Sequence, residues 1–167
     1  MENVAADQAL RDRDEIIAVT YKYALALDTR DWTLLTGCFT PGATADFGVW
    51  GKALGVEQII AAARPVMEGM ERTQHIIANH LITLNGDEAD CICYLAAEHL
   101  LTTAAGGSTS TTRGLYRDHF VRTSAGWRIA ARILEVTWRE GNIGIFDEAF
   151  RRFTAANNPA TRSAGSR

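Results

Sequence analysis

Asp28 lies at the end of the first long helical pattern, in Leu25-Ala26-Leu27-Asp28-Thr29-Arg30-Asp31-Trp32, and His75 follows 47 residues later in Arg72-Thr73-Gln74-His75. A carboxylate that orients an imidazole and stabilises its protonated form turns the ring into a general base. Such a base can take a proton from carbon or oxygen near neutral pH. The competing role is structural, with an Asp that stops a helix and a His satisfied at a strand end. The elements between them decide whether the two side chains meet.

Residues 8–28 carry Leu10, Ile16, Ile17, Val19, Tyr23, Ala24 and Leu27 as a broad apolar stripe without Gly or Pro, and Asp7 is the expected N-cap. Asp31 is expected to cap a short second helix that holds Trp32, Leu34, Leu35, Cys38 and Phe39 and stops at Thr40-Pro41-Gly42. Residues 45–50 form a strand candidate, 51–55 a loop, and 56–67 a third helix with Pro65 near its end. From Thr73 the pattern turns to strands. One runs over 74–84 and stops at Asn85-Gly86, a strong hairpin signal; further strands span 88–103, 110–123 and 127–138. Helices segregated from an antiparallel meander predict an α+β domain in which a curved sheet wraps a helix and encloses one pocket. Residues 1–153 are assigned to this single domain and 154–167 to a polar, flexible tail. Phe146, Phe150 and Phe153 recur at helical spacing, as a docking helix or an oligomer contact.

Hydrophobic content of 47%, charged content of 22% and a net charge of −3 fit a globular domain with a real core and give no electrostatic footprint for nucleic acid. No apolar run is long enough to span a membrane, and the first residues lack the pattern of a secretory signal, so a cytoplasmic protein is expected. The three cysteines are then thiols, with Cys91 and Cys93 as buried filler on one face of a strand. Four scattered histidines and one C-x-C do not make a metal-ligand set. There is no phosphate-cradling glycine loop and no G-x-S-x-G elbow, so neither metal nor cofactor is expected.

The order and spacing of Tyr23 to Asp28 with Asp31, Trp32 and Phe39, of Gly55-Val56-Glu57-Gln58-Ile59, of Arg72 to His75 with Asn79, of Gly114-Leu115-Tyr116-Arg117-Asp118, and of Gly126-Trp127-Arg128-Ile129 with Arg132 resemble the SnoaL-like branch of the NTF2-like superfamily. The resemblance covers about residues 12–138. It implies a cone-shaped α+β barrel and, through its scytalone dehydratase, bile-acid 7α-dehydratase and hexachlorocyclohexane dehydrochlorinase relatives, a lyase-type use of Asp28 and His75. Leu27 and Phe47 stand where scytalone dehydratase has tyrosines, which argues against scytalone as substrate. Tyr23 matches the tyrosine of the bile-acid enzyme. Five residues place Tyr23 about 140° from Asp28 on an ideal helix, so Tyr21 is its geometric rival, and Tyr23 and Asp28 share a pocket only if Asp28 sits past the helix end.

His99 shares a strand face with Cys91, Cys93, Leu95 and Ala97 and is a candidate for catalysis or substrate binding. In a regular strand His80 faces away from His75, which favours a structural or exposed role, and His119 has no evident partner. Arg132 is a candidate ligand for a substrate oxygen, with an ion pair to Asp118 or Glu135 as the alternative. Phe39, Phe47, Trp50, Met67, Met70 and Trp138 are candidate walls of an apolar pocket, and only one of Asp46 and Phe47 can face inward. The expected activity is a cofactor-independent lyase or isomerase acting on a hydrophobic cyclic or aromatic small molecule. The alternatives are a polyketide cyclase, a non-catalytic ligand-binding module, or the β subunit of an aromatic-ring-hydroxylating dioxygenase. The resemblance also implies a homodimer or homotrimer.

Overall fold

The structure is a computed structural model that describes residues 2–158. Its longest helix, α1 (Glu2–Thr29), starts well before the expected N-cap, so Asp7 lies inside it. Ile16, Val19, Tyr23, Ala24, Ala26 and Leu27 are buried along one face, whereas Leu10 at the outer end is exposed. The helix closes on a left-handed residue, Arg30 (φ 60°), with Arg30 N–H donating to the Leu27 carbonyl and Asp31 N–H to that of Ala26. Asp31 then caps α2 (Trp32–Thr36), its Oδ1 accepting from Leu34 N–H at 2.8 Å.

The helix expected to continue to Phe39 stops at Thr36, and β1 (Phe39–Asp46) runs through Pro41 and Gly42. After a 3-10 turn at Gly48–Trp50 comes β2 (Lys52–Leu54), in place of the expected loop, paired antiparallel to β1. α3 (Val56–Gly69) tolerates Pro65 and carries Ile59 and Met67 into the core. The meander follows as β3 (Arg72–Asn85), β4 (Glu88–Leu100), β5 (Thr109–Thr123) and β6 (Gly126–Gly141). The sheet order is β2-β1-β6-β5-β4-β3, antiparallel except for β1 beside β6. The result is a curled, unclosed six-stranded sheet with α1 packed into its concave side, a cone-shaped α+β fold rather than a closed barrel.

Three bulges set which side chains face the cone. In β3, Asn79 adopts φ 56° and the register slips between Ala78 and Leu81, so Ile77 and Ile82 are both buried although they differ in parity. In β6 the register slips near Ala130 and again near Thr137. Arg132 and Leu134 therefore point inward while Trp138, on the same nominal phase, is turned out and 59% exposed.

α4 (Ile145–Asn157) passes the expected boundary at 153, because Thr154 and Asn157 bond back to the Phe150 and Phe153 carbonyls and the alanines between them favour helix. Residues 159–167 of the expected tail lie outside the described residues. α4 is docked: a Cβ on Gly69 of α3 would sit 2.0 Å from the Ala149 carbonyl oxygen, and Met70, Leu101, Ile145 and Ala149 close a second small core. No helix among the described residues is long and apolar enough to cross a membrane.

Candidate active site

The last turn of α1 and the first residues of β3 meet because the helix ends against that strand. There the Asp28 carboxylate accepts three hydrogen bonds. His75 Nδ1 donates to Oδ1 at 2.7 Å, the His75 backbone N–H to Oδ2 at 2.8 Å, and Thr73 Oγ1 to Oδ1 at 2.9 Å. Arg30, placed by its left-handed turn, reaches the Asp28 and Met67 carbonyls and braces the helix end. Burial works against the Asp28 charge, but the bonds from the His75 ring and backbone and from Thr73 outweigh it and hold its carboxyl below the usual carboxylate range. An ionised acceptor on Nδ1 requires a hydrogen there, so in the neutral ring Nε2 is the basic nitrogen.

His75 lies on the wall of a cavity of about 420 Å³ between the concave sheet, α1, α3 and α4. Tyr23, Phe47, Trp50, Met67 and His99 are among the residues that line it. Tyr23 is buried against Phe39 and Tyr116, whereas Tyr21 is 52% exposed and packs on His80, so of Tyr21 and Tyr23 it is Tyr23 that faces the pocket. The condition placed on Asp28 proves unnecessary. It sits inside the helix, behind His75 rather than on the pocket wall, and need not share a face with Tyr23.

His99 is 5% exposed; its ring stands edge-on to His75 at 5.6 Å and to Phe146 at 4.8 Å. Burial, aided by the neighbouring His75 ring and opposed by a backbone bond at Ser110, pushes its pKa down to about 3, so His99 is a neutral ring at ordinary pH.

Other candidates lie elsewhere. Arg132 is fully buried beneath the pocket, bonded through Nε and Nη2 to Asp118 at 2.7 and 2.6 Å. Its guanidinium is stacked between the rings of Tyr23 and Tyr116 at 4.0 and 3.9 Å. The ion pair is therefore its role, and it does not line the cavity. Phe39 belongs to the core under Tyr23, and Met70 to the small core beside α4. Trp138 is carried to the outer sheet face by the Thr137 bulge, into a shallow groove with Ile76, Tyr94 and Arg113. Asp46 turns out to Lys52 and caps Gly48 N–H, which leaves Phe47 to face in.

The Asn79 bulge reverses the expected facing of His80. It points inward, and its Nε2 lies 2.8 Å from Thr20 Oγ1 of α1, a structural contact. His119 does have a partner, Asp90 at 3.0 Å on the adjacent strand. The three cysteines are free thiols and buried.

Sequence reasoning missed Thr112, Tyr116 and Leu134 from the sheet and Phe146, Asp147 and Phe150 from α4 as pocket walls. The phenylalanine spacing held the only signal for α4; alternation along β5 could have yielded Thr112 and Tyr116 once His99 was placed.

The SnoaL-like domain family matches residues 8–133. Protein Rv2910c of Mycobacterium tuberculosis, uncharacterized, is 30% identical over 131 residues, which cover 74% of this chain and 84% of the relative. Among solved structures, the Kfla4162 protein from Kribbella flavida is 28% identical with a TM-score of 0.77, covering 83% of this chain and 99% of that one. A candidate scytalone dehydratase from Novosphingobium aromaticivorans is 20% identical with a TM-score of 0.76, covering 82% and 91%. A hexachlorocyclohexane dehydrochlorinase is 17% identical with a TM-score of 0.69, covering 85% and 92%. At such identities the last two share the fold.

Proposed function

The chain belongs to the SnoaL-like family, and we propose that it is a cytoplasmic, cofactor-independent lyase of the dehydratase type, or an isomerase, acting on a hydrophobic cyclic or aromatic small molecule. The observation that carries the reading is the 2.7 Å bond from His75 Nδ1 to Asp28 in a ring that lines an apolar cavity. Nε2 of His75 takes a proton from a carbon next to an activating carbonyl. Asp28 stabilises the imidazolium that results, at a cost lower than in water because the pair is already aligned. Tyr23, or the neutral ring of His99, donates a hydrogen bond to the oxygen on which charge develops or that departs. In elimination the carbon–hydrogen electron pair becomes the new double bond and the β-hydroxyl leaves, taking up a proton, as water. In isomerisation the same proton returns to a different carbon.

The experiment is a panel of cyclic β-hydroxy ketones followed by the ultraviolet absorbance of the enone product. The wild-type protein is expected to turn over at least one member. His75→Ala is expected to lose about 10²–10⁴-fold in rate, and Asp28→Asn at least about tenfold. Full activity in both variants would sink the mechanism.

The outer sheet face supports a second statement. Ile76, Tyr94, Ile133 and Trp138 are large, apolar and at least half exposed. An apolar face of this kind on a sheet suits a homodimer or homotrimer contact.

A further inference from the structure

One guanidinium ties together the three chain segments that meet behind His75. Arg30 Nε donates to the Met67 carbonyl at 3.1 Å and Nη2 to that of Met70 at 3.4 Å, at the end of α3. Nη1 donates to the Asp28 main-chain carbonyl in the last turn of α1 and, at 3.4 Å, to Thr73 Oγ1 at the start of β3. Carbonyls left open where helices end carry partial negative charge, and here two such ends face one cation. Burial draws the Arg30 pKa down against the pull of Asp28, but a guanidinium stays charged at ordinary pH.

The backbone bends to allow this. Arg30 holds φ 60°, and among the described residues the only other left-handed residue besides glycines is Asn79 in the β3 bulge. A long side chain rarely takes that conformation, and it persists where the surroundings fix it. Glycine or asparagine would turn the chain at lower cost, so the turn itself does not call for an arginine.

The Thr73 hydroxyl has one hydrogen. Arg30 can only donate, so the contact from Nη1 falls on an oxygen lone pair and leaves that hydrogen for Asp28 Oδ1, 2.9 Å away. Oδ1 then accepts from Thr73 as well as from His75 Nδ1, while Oδ2 accepts from the His75 backbone N–H. Each donor on the carboxylate lowers its basicity and fixes its plane. The hydrogen between Oδ1 and Nδ1 therefore stays on the ring.

We propose that Arg30 and Thr73 are positioning residues for the Asp28–His75 pair: Arg30 aims the Thr73 hydroxyl at Asp28, and that bond keeps the hydrogen of the pair on His75 Nδ1, leaving Nε2 free. Neither residue is among those that line the cavity, so both act through Asp28. The inference rests on the reading of the pair as a general base and names what holds it in its working form.

The test has two readouts on the full chain. Nitrogen-15 NMR of the free protein at pH 8 reports which nitrogen of the His75 ring carries hydrogen, the His75 signals being those lost in His75→Ala. Deuterium exchange into 2-tetralone reports kcat and KM. The wild type is expected to show Nδ1–H and a bare Nε2. Thr73→Val is expected to populate the Nε2–H form and to lower kcat about tenfold with KM unchanged. Thr73→Ser, which keeps the hydroxyl, should restore both. Arg30→Asn keeps a residue that tolerates the left-handed turn and should lower kcat about threefold; added to Thr73→Val it should cost far less than it does alone, because it acts through the hydroxyl. If Arg30→Asn does not fold, Arg30→Lys, which lacks the fork that reaches Thr73, takes its place in the same comparison. A wild-type ring protonated on Nε2, an unchanged tautomer and kcat in Thr73→Val, a Thr73→Ser protein as impaired as Thr73→Val, or losses that multiply in the double variant would overturn the proposal. If the wild type exchanges no deuterium but the tautomer responds as described, the lyase reading fails and the positioning role stands.

Discussion

Asp28 gives its carboxylate to three donors, two of them on His75. In the proposed mechanism it holds one ring in one tautomer, which a residue behind the pocket wall can do. Arg132 and Asp118 form a second buried pair with a different task. They anchor the rings of Tyr23 and Tyr116 from beneath, and both side chains have no exposed surface. Burial alone would lower the Arg132 pKa, but Asp118 outweighs it and keeps the guanidinium charged. Asp118→Ala is therefore expected to destabilise the protein by about 3–5 kcal/mol in urea unfolding, because it strands a buried cation. The double change Asp118→Leu with Arg132→Met is expected to cost far less, since it removes both charges. Equal losses in the two would show that packing, not charge, sets the cost. Strand phase makes His99 legible in the sequence, whereas Asp28 and His75 as a pair and Tyr23 rest on the family resemblance, because helix geometry alone leaves Tyr21 as a rival and no local pattern brings a helix end to a strand 47 residues away. Arg132 was legible only as two alternatives, since its partner lies on a neighbouring strand whose register the sequence does not state.

The elements explain what was misread. Period-two alternation predicts facing only while a strand stays regular, and β3 and β6 do not. Asn79 supplies the one weak signal, as Asn tolerates φ > 0 better than most residues, yet an Asn among Ile, Ala and His reads as an ordinary polar position. The bulge turns His80 in and Leu81 out; the Thr137 bulge turns Trp138 out. β2 escaped notice because three residues between glycines carry too little pattern. α4 was legible as a helix but not as a pocket wall, which depends on Gly69 admitting the Ala149 backbone. Gly69→Ala is expected to lift α4, costing about 1–3 kcal/mol. Hydrogen exchange of the 145–157 amides should quicken, and Trp50 fluorescence should change as its contact with Phe146, 5.5 Å between ring centres, is lost. Unchanged exchange would mean that α4 is held by its other contacts alone.

The whole molecule is a cone with a concave side that holds α1 and the cavity and an outer side that leaves large apolar residues uncovered. The fold class followed from the segregation of helices and strands, whereas the open edges and the place of β2 beside β1 did not, because non-local pairing leaves no mark on either segment. If the outer face is the seat of self-association, Trp138→Glu together with Ile76→Glu should reduce the mass measured by light scattering to that of one chain, with circular dichroism unchanged. A mass unaffected by both charges would place the contact elsewhere.

The central claim is that His75, held by Asp28, removes a proton from carbon inside the cavity. Its most direct test is deuterium incorporation from D₂O into the α-position of 2-tetralone, followed by proton NMR with the wild-type protein, His75→Ala and Asp28→Asn. The account predicts exchange above the buffer rate with the wild type, return to the buffer rate in His75→Ala, and an intermediate rate in Asp28→Asn. Wild-type exchange no faster than buffer while 2-tetralone is bound, or equal exchange in all three proteins, would contradict it.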